Sequence, residues 1–313
     1  MIPTPALPLD LPPGLTLDTR PDGWTTLRVR TALAQADIAL HGGQILHWQP
    51  RHAAQPVLWL SPQAVLRDGQ AIRGGVPVCW PWFGPADRAG NPAHGVVRTR
   101  AWSLRQATAE ADGRLLLSLD GPAFPASAAP GWQSATLRLE ISVGLELALA
   151  LTTTAPPEAG PETGPDTGAW RLTEALHSYF AISDVAHTRI TGLGGCAGAD
   201  KLQSGAAVTL PQSIDPAQPV DCMVAHSGEA LIADSGWQRQ IRVRKSGSAT
   251  TIVWNPGAAR AAQLPDMAQD GLWRGMVCVE AGNGPGQPVR LAPGATHRLA
   301  MTLSVEALDG IAA

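Results

Sequence analysis

TLRLEISVGLELALALT, residues 136–152, carries an apolar side chain at every odd position: Leu137, Leu139, Ile141, Val143, Leu145, Leu147, Leu149 and Leu151. Its even positions, among them Arg138, Glu140, Ser142, Ala148 and Ala150, are polar or small. Successive side chains of a strand point to opposite faces, so this is the pattern of a strand buried on one side. The run is too long for a typical strand of about 5–6 residues, and Gly144 at its centre predicts a hairpin turning there. Shorter strand patterns follow at 25–29, 36–40, 115–119, 171–180, 239–245, 250–254, 275–280 and 296–305. No segment sustains an apolar period of 3.6 residues over four turns. The 33 glycines and 28 prolines suit many turns between short strands. The expected fold is all-β, a single large antiparallel sandwich or supersandwich with few short helices.

At 313 residues, 44% of them hydrophobic and 16% charged, the chain can bury a large core. Residues 1–14 are Pro-rich and lack a basic leader region, so they read as a loosely ordered arm and not as a secretory signal. Residues 15–313 read as one domain, and APPEAGPETGPDTGA at 155–169 as a flexible loop within it. Apolar runs end well short of the ~18 residues of a membrane span. A net charge of −3 without charged blocks argues against nucleic acid as a partner. Cys79, Cys196, Cys222 and Cys278 form no CxxC pair, which argues against a disulfide framework or a zinc site. The expectation is a cytoplasmic protein with reduced thiols, no membrane partner, and a monomeric state over an obligate oligomer. Its basic residues are 21 arginines and two lysines, Lys201 and Lys245, so bound anions would meet mostly guanidinium forks.

Three segments interrupt the apolar pattern with polar groups. The first, Ile72–Trp102, contains IRGGVPVCWPWFGP and AHGVVRTRAW; its glycines and prolines predict a stiff irregular loop, with Trp80, Trp82 and Phe83 as pocket wall or core. Arg98 and Arg100 alternate with Thr99 and would share a face if that segment is extended. In the second, WRLTEALHSYFAI at 170–182, strand alternation puts Trp170, Leu172, Leu176, Phe180 and Ile182 on one face. Thr173, Ala175, His177 and Tyr179 take the other, with His177 mid-strand. In the third, MVCVEAGN at 276–283, Val277 and Val279 would face the core while Met276, Cys278 and Glu280 share the opposite face. Glu280 reads as lying at a strand end beside a loop, either as a surface carboxylate or as a partly buried base.

Together, RGGVPVCWPWFG (73–84), HGVVRTRAW (94–102), EALHSYFAISD (174–184) and DMAQDGLWRGMVCVEAGN (266–283) resemble the hexose-6-phosphate mutarotases. These are the glucose-6-phosphate 1-epimerase branch of the aldose 1-epimerase, or galactose-mutarotase-like, superfamily. GLGG at 192–195 and VWNPG at 253–257 fall in the expected order between them, and the similarity runs from about Leu33 to Leu303. The resemblance implies a β-supersandwich that interconverts α and β anomers of a hexose 6-phosphate by acid–base ring opening, without cofactor or metal. It implies His177 as acid and Glu280 as base, Arg73 and Arg98 on the phosphate side, His94 contacting substrate, and Asp221 on the sugar hydroxyls. Arg100 is the reserve phosphate ligand. The chain departs from the family pattern at Ala93, at Cys222-Met223-Val224 after Asp221, at the missing tyrosine after GLGG, and at Ala281. Two other readings stand beside this one: a non-catalytic sugar-phosphate binding protein and a mutarotase of unphosphorylated aldoses. A glycosidase or polysaccharide lyase is more distant, since a His–Glu pair suits reversible proton exchange better than hydrolysis by two carboxylates.

Overall fold

The computed structural model describes residues 11–308 apart from 87, 88, 125 and 270. Most of the expected N-terminal arm, residues 1–10, lies outside the described residues. The 136–152 segment folds as the alternation requires: strands Thr136–Val143 and Leu147–Thr154 pair antiparallel, with Val143 opposite Leu147 and Thr136 opposite Thr154. Residues 144–146 close the hairpin, the Gly144 N–H donating to the Glu146 carbonyl at 2.9 Å. Leu145, expected inside, stands on this turn and is 48% exposed. Because Val143 pairs with Leu147, odd residues face odd residues across the loop. The alternation therefore passes through the turn without registering it.

The hairpin lies within a nine-stranded antiparallel sheet. Thr296–Ala307 and Arg239–Ser246 extend it on one side, Leu115–Asp120 and Ser103–Ala109 on the other. Facing it is an eight-stranded sheet whose central members are Val220–Ala225, Thr250–Asn255, Met276–Asn283 and Glu174–Leu176. A four-stranded sheet (Leu15–Thr19, Thr25–Arg30, Ala34–Ala39, Gln44–Pro50) completes the antiparallel β-supersandwich. The described helices are short: one α-helix, Gly257–Ala261, and single 3₁₀ turns. None is long and apolar enough to cross a membrane.

The main core joins the two large sheets. Leu139, Ile141, Leu149 and Leu151 enter it from the nine-stranded sheet, and Val253, Val277, Val279 and Ala281 from the eight-stranded one. On the opposite face of the eight-stranded sheet, Met276 and Cys278 pack with Tyr179, Ala261 and Met267 in a separate cluster. Polar groups are set into the core side as well, among them Glu174. Glu174, fully buried, receives Asn283 Nδ2 at 3.2 Å and lies 3.0 Å from His297 Nε2.

Replacing Leu139 by alanine should cost about 2–5 kcal/mol, the range for truncating a buried leucine whose cavity cannot collapse. Leu145→Ser should change stability by no more than about 0.5 kcal/mol. Urea denaturation of the two variants measures the contrast, and equal losses would place Leu145 in the core.

Candidate active site

The expected 171–180 strand is broken in three, Trp170–Leu172, Glu174–Leu176 and Tyr179–Ala181: its neighbour changes at Thr173, and at the second break the His177 and Ser178 N–H groups go to the Pro77 and Leu176 carbonyls. Trp170–Leu172 pairs with Val289–Leu291, whereas the other two pieces pair with Met276–Asn283. His177 is therefore not mid-strand; it occupies the two-residue gap before Tyr179. The register is nevertheless unbroken. Leu176 opposes Ala281 and Tyr179 opposes Cys278, which leaves His177 opposite Glu280. The side-chain parity read from the sequence holds across the gap: Leu176, Phe180 and Ile182 join the main core, and His177 and Tyr179 face away from it.

Glu280 is not at a strand end. Its strand runs on through Asn283, and the carboxylate is only 1% exposed. Adjacent strands add Ile252 opposite Glu280, Trp254 opposite Cys278, and Asp221 opposite Trp254. The RGG turn fixes the other edge. Gly75 and Pro77 accept backbone hydrogen bonds from Tyr179 (2.8 Å) and His177 (2.9 Å). Gly75 has φ +61°, and a Cβ there would stand 2.0 Å from the Ile45 carbonyl oxygen, so the turn requires glycine.

These elements enclose a cavity of about 250 Å³ lined by Arg73, Phe83, His94, His177, Lys201, Asp221, Trp254, Arg260 and Glu280, among others. At its base His177 Nδ1 lies 3.3 Å from Glu280 Oε1. Neither that nitrogen nor either Glu280 oxygen has a hydrogen-bond partner among the described residues. The imidazole is stacked on Tyr179, with ring centroids 4.8 Å apart and planes 7° apart. Burial pushes the Glu280 carboxyl well above its ordinary range; Lys201 opposes this and Asp221 adds to it. Burial likewise holds His177 well below its ordinary value, reinforced by His94, Arg98 and Arg73. Both directions favour the uncharged forms of the two groups.

Arg73 Nε donates to Asp266 Oδ2 at 3.1 Å and Nη1 to the Tyr179 hydroxyl at 3.0 Å, with the guanidinium carbon 5.9 Å from the centre of the Trp254 ring. Burial disfavours its charge, but Tyr179 and Asp266 outweigh that and raise its pKa. Lys201 Nζ sits 3.6 Å from Asp221 Oδ1 and 5.1 Å from the Phe83 ring centre. His94 adopts φ +63°, and its Nδ1 accepts the Gly84 N–H at 3.4 Å, which leaves Nε2 as the protonated nitrogen. Burial, then Arg98, Lys201 and Arg73, push His94 down to about 3, so it is a neutral donor.

Of the seven residues singled out from the sequence, Arg73, His94, His177, Asp221 and Glu280 share this cavity; Arg98 and Arg100 do not line it. The segment that carries those two is a series of turns, the Arg100 N–H donating to the Val97 carbonyl, so the extended geometry expected for it does not form. Arg98 Nη2 is bonded to the Ala93 carbonyl at 2.9 Å. Trp80 is fully buried core, and Trp82 lines a neighbouring cleft; of the three aromatics only Phe83 reaches the cavity. Lys201, Trp254, Arg260 and Asp266 were missed. Trp254 had a signal, since strand alternation from Ile252 places it on the same face, while Lys201 and Arg260 arrive on loop and helix ends without periodicity.

The family model for aldose 1-epimerase matches residues 25–304. The chain belongs to the aldose 1-epimerase family. It is 33% identical over 275 residues to a Salmonella typhimurium protein described as "Putative glucose-6-phosphate 1-epimerase", covering 87% of each chain. An Escherichia coli protein of the same description is 34% identical over 261 residues, covering 79% of each. The crystal structure of a Salmonella typhimurium "putative mutarotase" superposes with a TM-score of 0.83 at 29% identity, covering 95% of both chains. Membership makes this chain a sugar epimerase, a mutarotase in the broad sense.

Substituting Gly75 by alanine should destabilise the protein by more than about 1 kcal/mol, because the left-handed backbone and the Ile45 carbonyl both exclude a Cβ. Thermal unfolding checks this, and a neutral result would mean that the RGG turn can relax.

Proposed function

We propose that this protein interconverts the α and β anomers of a hexose 6-phosphate, with glucose 6-phosphate as the foremost candidate, through acid–base ring opening and reclosure. The observation that carries the reading is the buried His177–Glu280 pair, whose facing atoms have no hydrogen-bond partner among the described residues, in a cavity also lined by Arg73, Lys201 and Arg260. Ring opening removes a proton from the C1 hydroxyl and delivers one to the ring oxygen. Rotation about C1–C2 then exposes the other face of the aldehyde, and closure returns both protons. Two facing groups that hold one proton between them meet this need, because each regains its starting state when the ring closes. The resemblance assigns the base to Glu280 and the acid to His177. The same pair with its proton on the carboxyl serves the reverse exchange.

Arg73 supports the phosphate reading. Its Nε and Nη1 are committed to Asp266 and Tyr179, so the guanidinium is oriented before substrate arrives and its remaining edge can take a phosphate oxygen. Lys201 and Arg260 add cationic charge to the same wall. Asp221 and the Nε2–H of His94 are placed to accept from and donate to sugar hydroxyls.

Magnetisation exchange between anomeric protons tests the proposal on glucose 6-phosphate and glucose in parallel. Glu280→Gln and His177→Asn should each lower kcat by about 10²–10⁴ with folding intact. Arg73→Ala should raise KM for the phosphate ester at least about tenfold, the scale of a hydrogen bond to a charged group, while sparing free glucose. Exchange on glucose alone would make this a mutarotase of free aldoses. Absence of exchange with the sugar phosphate still bound would make it a binding protein.

A pH profile of kcat/KM gives a separate test. The lowered His177 means that a second proton is gained only on the acid side, and the raised Glu280 means that the shared proton is lost only on the alkaline side. Activity should be flat across neutral pH and fall in both directions. A maximum confined to the narrow span between ordinary glutamate and histidine values, about 4.3 and 6.5, would contradict this.

A further inference from the structure

Cys278 takes no part in the proton exchange, yet it lies two residues before Glu280 on the same strand face, opposite Tyr179 on one side and Trp254 on the other. Its thiol is fully buried. One ligand atom each from His177, Cys278 and Glu280 lies within 4.8 Å of the others. We infer that these three side chains form a site for a borderline-soft divalent cation, Zn²⁺ or Cd²⁺, and that a metal bound there inhibits the protein by engaging both groups of the dyad.

The donor set selects the metal. Imidazole nitrogen, thiolate sulfur and carboxylate oxygen form a mixture that zinc and cadmium accept, whereas calcium and magnesium require shells built from oxygen. Zinc bonds of about 2.0–2.3 Å in a tetrahedron put ligand atoms about 3.4–3.7 Å apart. The 3.3 Å between His177 Nδ1 and Glu280 Oε1 is already at that scale, so closing the rest of the triangle asks only for small side-chain rotations. The second observation is the want of partners: His177 Nδ1 and both Glu280 oxygens are buried without a hydrogen bond from any described residue. Their lone pairs are therefore free to enter a coordination shell without breaking an existing contact. His177 and Glu280 line the cavity, which provides an entry path and leaves the fourth position of a tetrahedron open to it.

Charge weighs on both sides. Arg73 and Lys201 repel a cation, while a thiolate and a carboxylate together carry the two negative charges that neutralise it. Binding must expel two protons, that of the thiol and the one the dyad holds, since the ligating forms are thiolate, carboxylate and neutral imidazole. The cysteine spacing along the chain gave no hint of this site, because its donors converge by strand alternation and cross-strand register, not through a CxxC turn. The inference rests on this geometry and not on the proposed substrate.

Cadmium titration followed by the ultraviolet thiolate-to-metal charge-transfer band tests it directly, with no dependence on turnover. The reference is a Cys196→Ser protein, which removes the one cysteine that is not buried. A single equivalent of Cd²⁺ should raise the band. Cys278→Ser in that background should abolish it, and His177→Asn should weaken binding at least about tenfold, the least expected from removing a ligand. Should Cys278→Ser fail to fold, the His177→Asn titration decides alone. Binding without a thiolate band, a band that survives Cys278→Ser, or an unchanged affinity in His177→Asn would each overturn the inference.

Discussion

The site depends on the antiparallel register between Met276–Asn283 and the broken strand that carries His177. From Glu174 opposite Asn283 to Ala181 opposite Met276 the pairing keeps one frame, although hydrogen bonding lapses at residues 177 and 178. In that frame His177 faces Glu280, and the two groups meet as a cross-strand pair despite the hundred residues between them. The RGG turn holds the frame through the Gly75 and Pro77 carbonyls, and Arg73 is carried to the cavity by the same turn. Glu280, His177 and Arg73 therefore share one scaffold.

That ladder has two faces with opposite electrostatic character. On the core face, Glu174 has Asn283 and His297 as partners. His297 responds accordingly: burial lowers its pKa, but the hydrogen bond and charge of Glu174 outweigh burial and raise it. On the cavity face, Glu280 has no hydrogen-bond partner among the described residues and lies beside His177, and burial drives both towards neutrality. An ionised group buried without donors is costly, so the arrangement is poor as a stabilising device. It suits a group that must accept a proton readily and release it again.

Parity was the legible part of the sequence. Period-two alternation fixed which residues of 136–152, 170–182 and 276–283 share a face, and this held even where the strand assignment did not, as at His177. Partners were not legible. The break at Thr173 follows from a change of neighbouring strand, and the burial of Glu280 from a strand that continues through Ala281 and Gly282. Arg98 and Arg100 were misplaced because Thr99 between them suggested extension, whereas the HGVVRTR segment folds into turns. Lys201 opens a single 3₁₀ turn and Arg260 lies in a five-residue helix, elements too short for residue spacing to reveal a face. The motif similarity singled out His177 and Glu280 together; alternation alone placed them on outward faces without showing that those faces meet.

The three-residue loop at Gly144–Glu146 has a bearing on how the nine-stranded sheet finds its alignment. Leucine or another apolar residue recurs at every second position on both arms of the hairpin. Sliding one arm by two residues would therefore still bury the whole apolar set, and hydrophobicity distinguishes poorly between the aligned and slipped pairings. The discriminating information lies in the turn, where the Gly144 N–H reaches the Glu146 carbonyl and Leu145 is released to solvent. The most emphatic pattern in the chain thus specifies a face but not an alignment, and one exposed leucine marks where the alignment is decided.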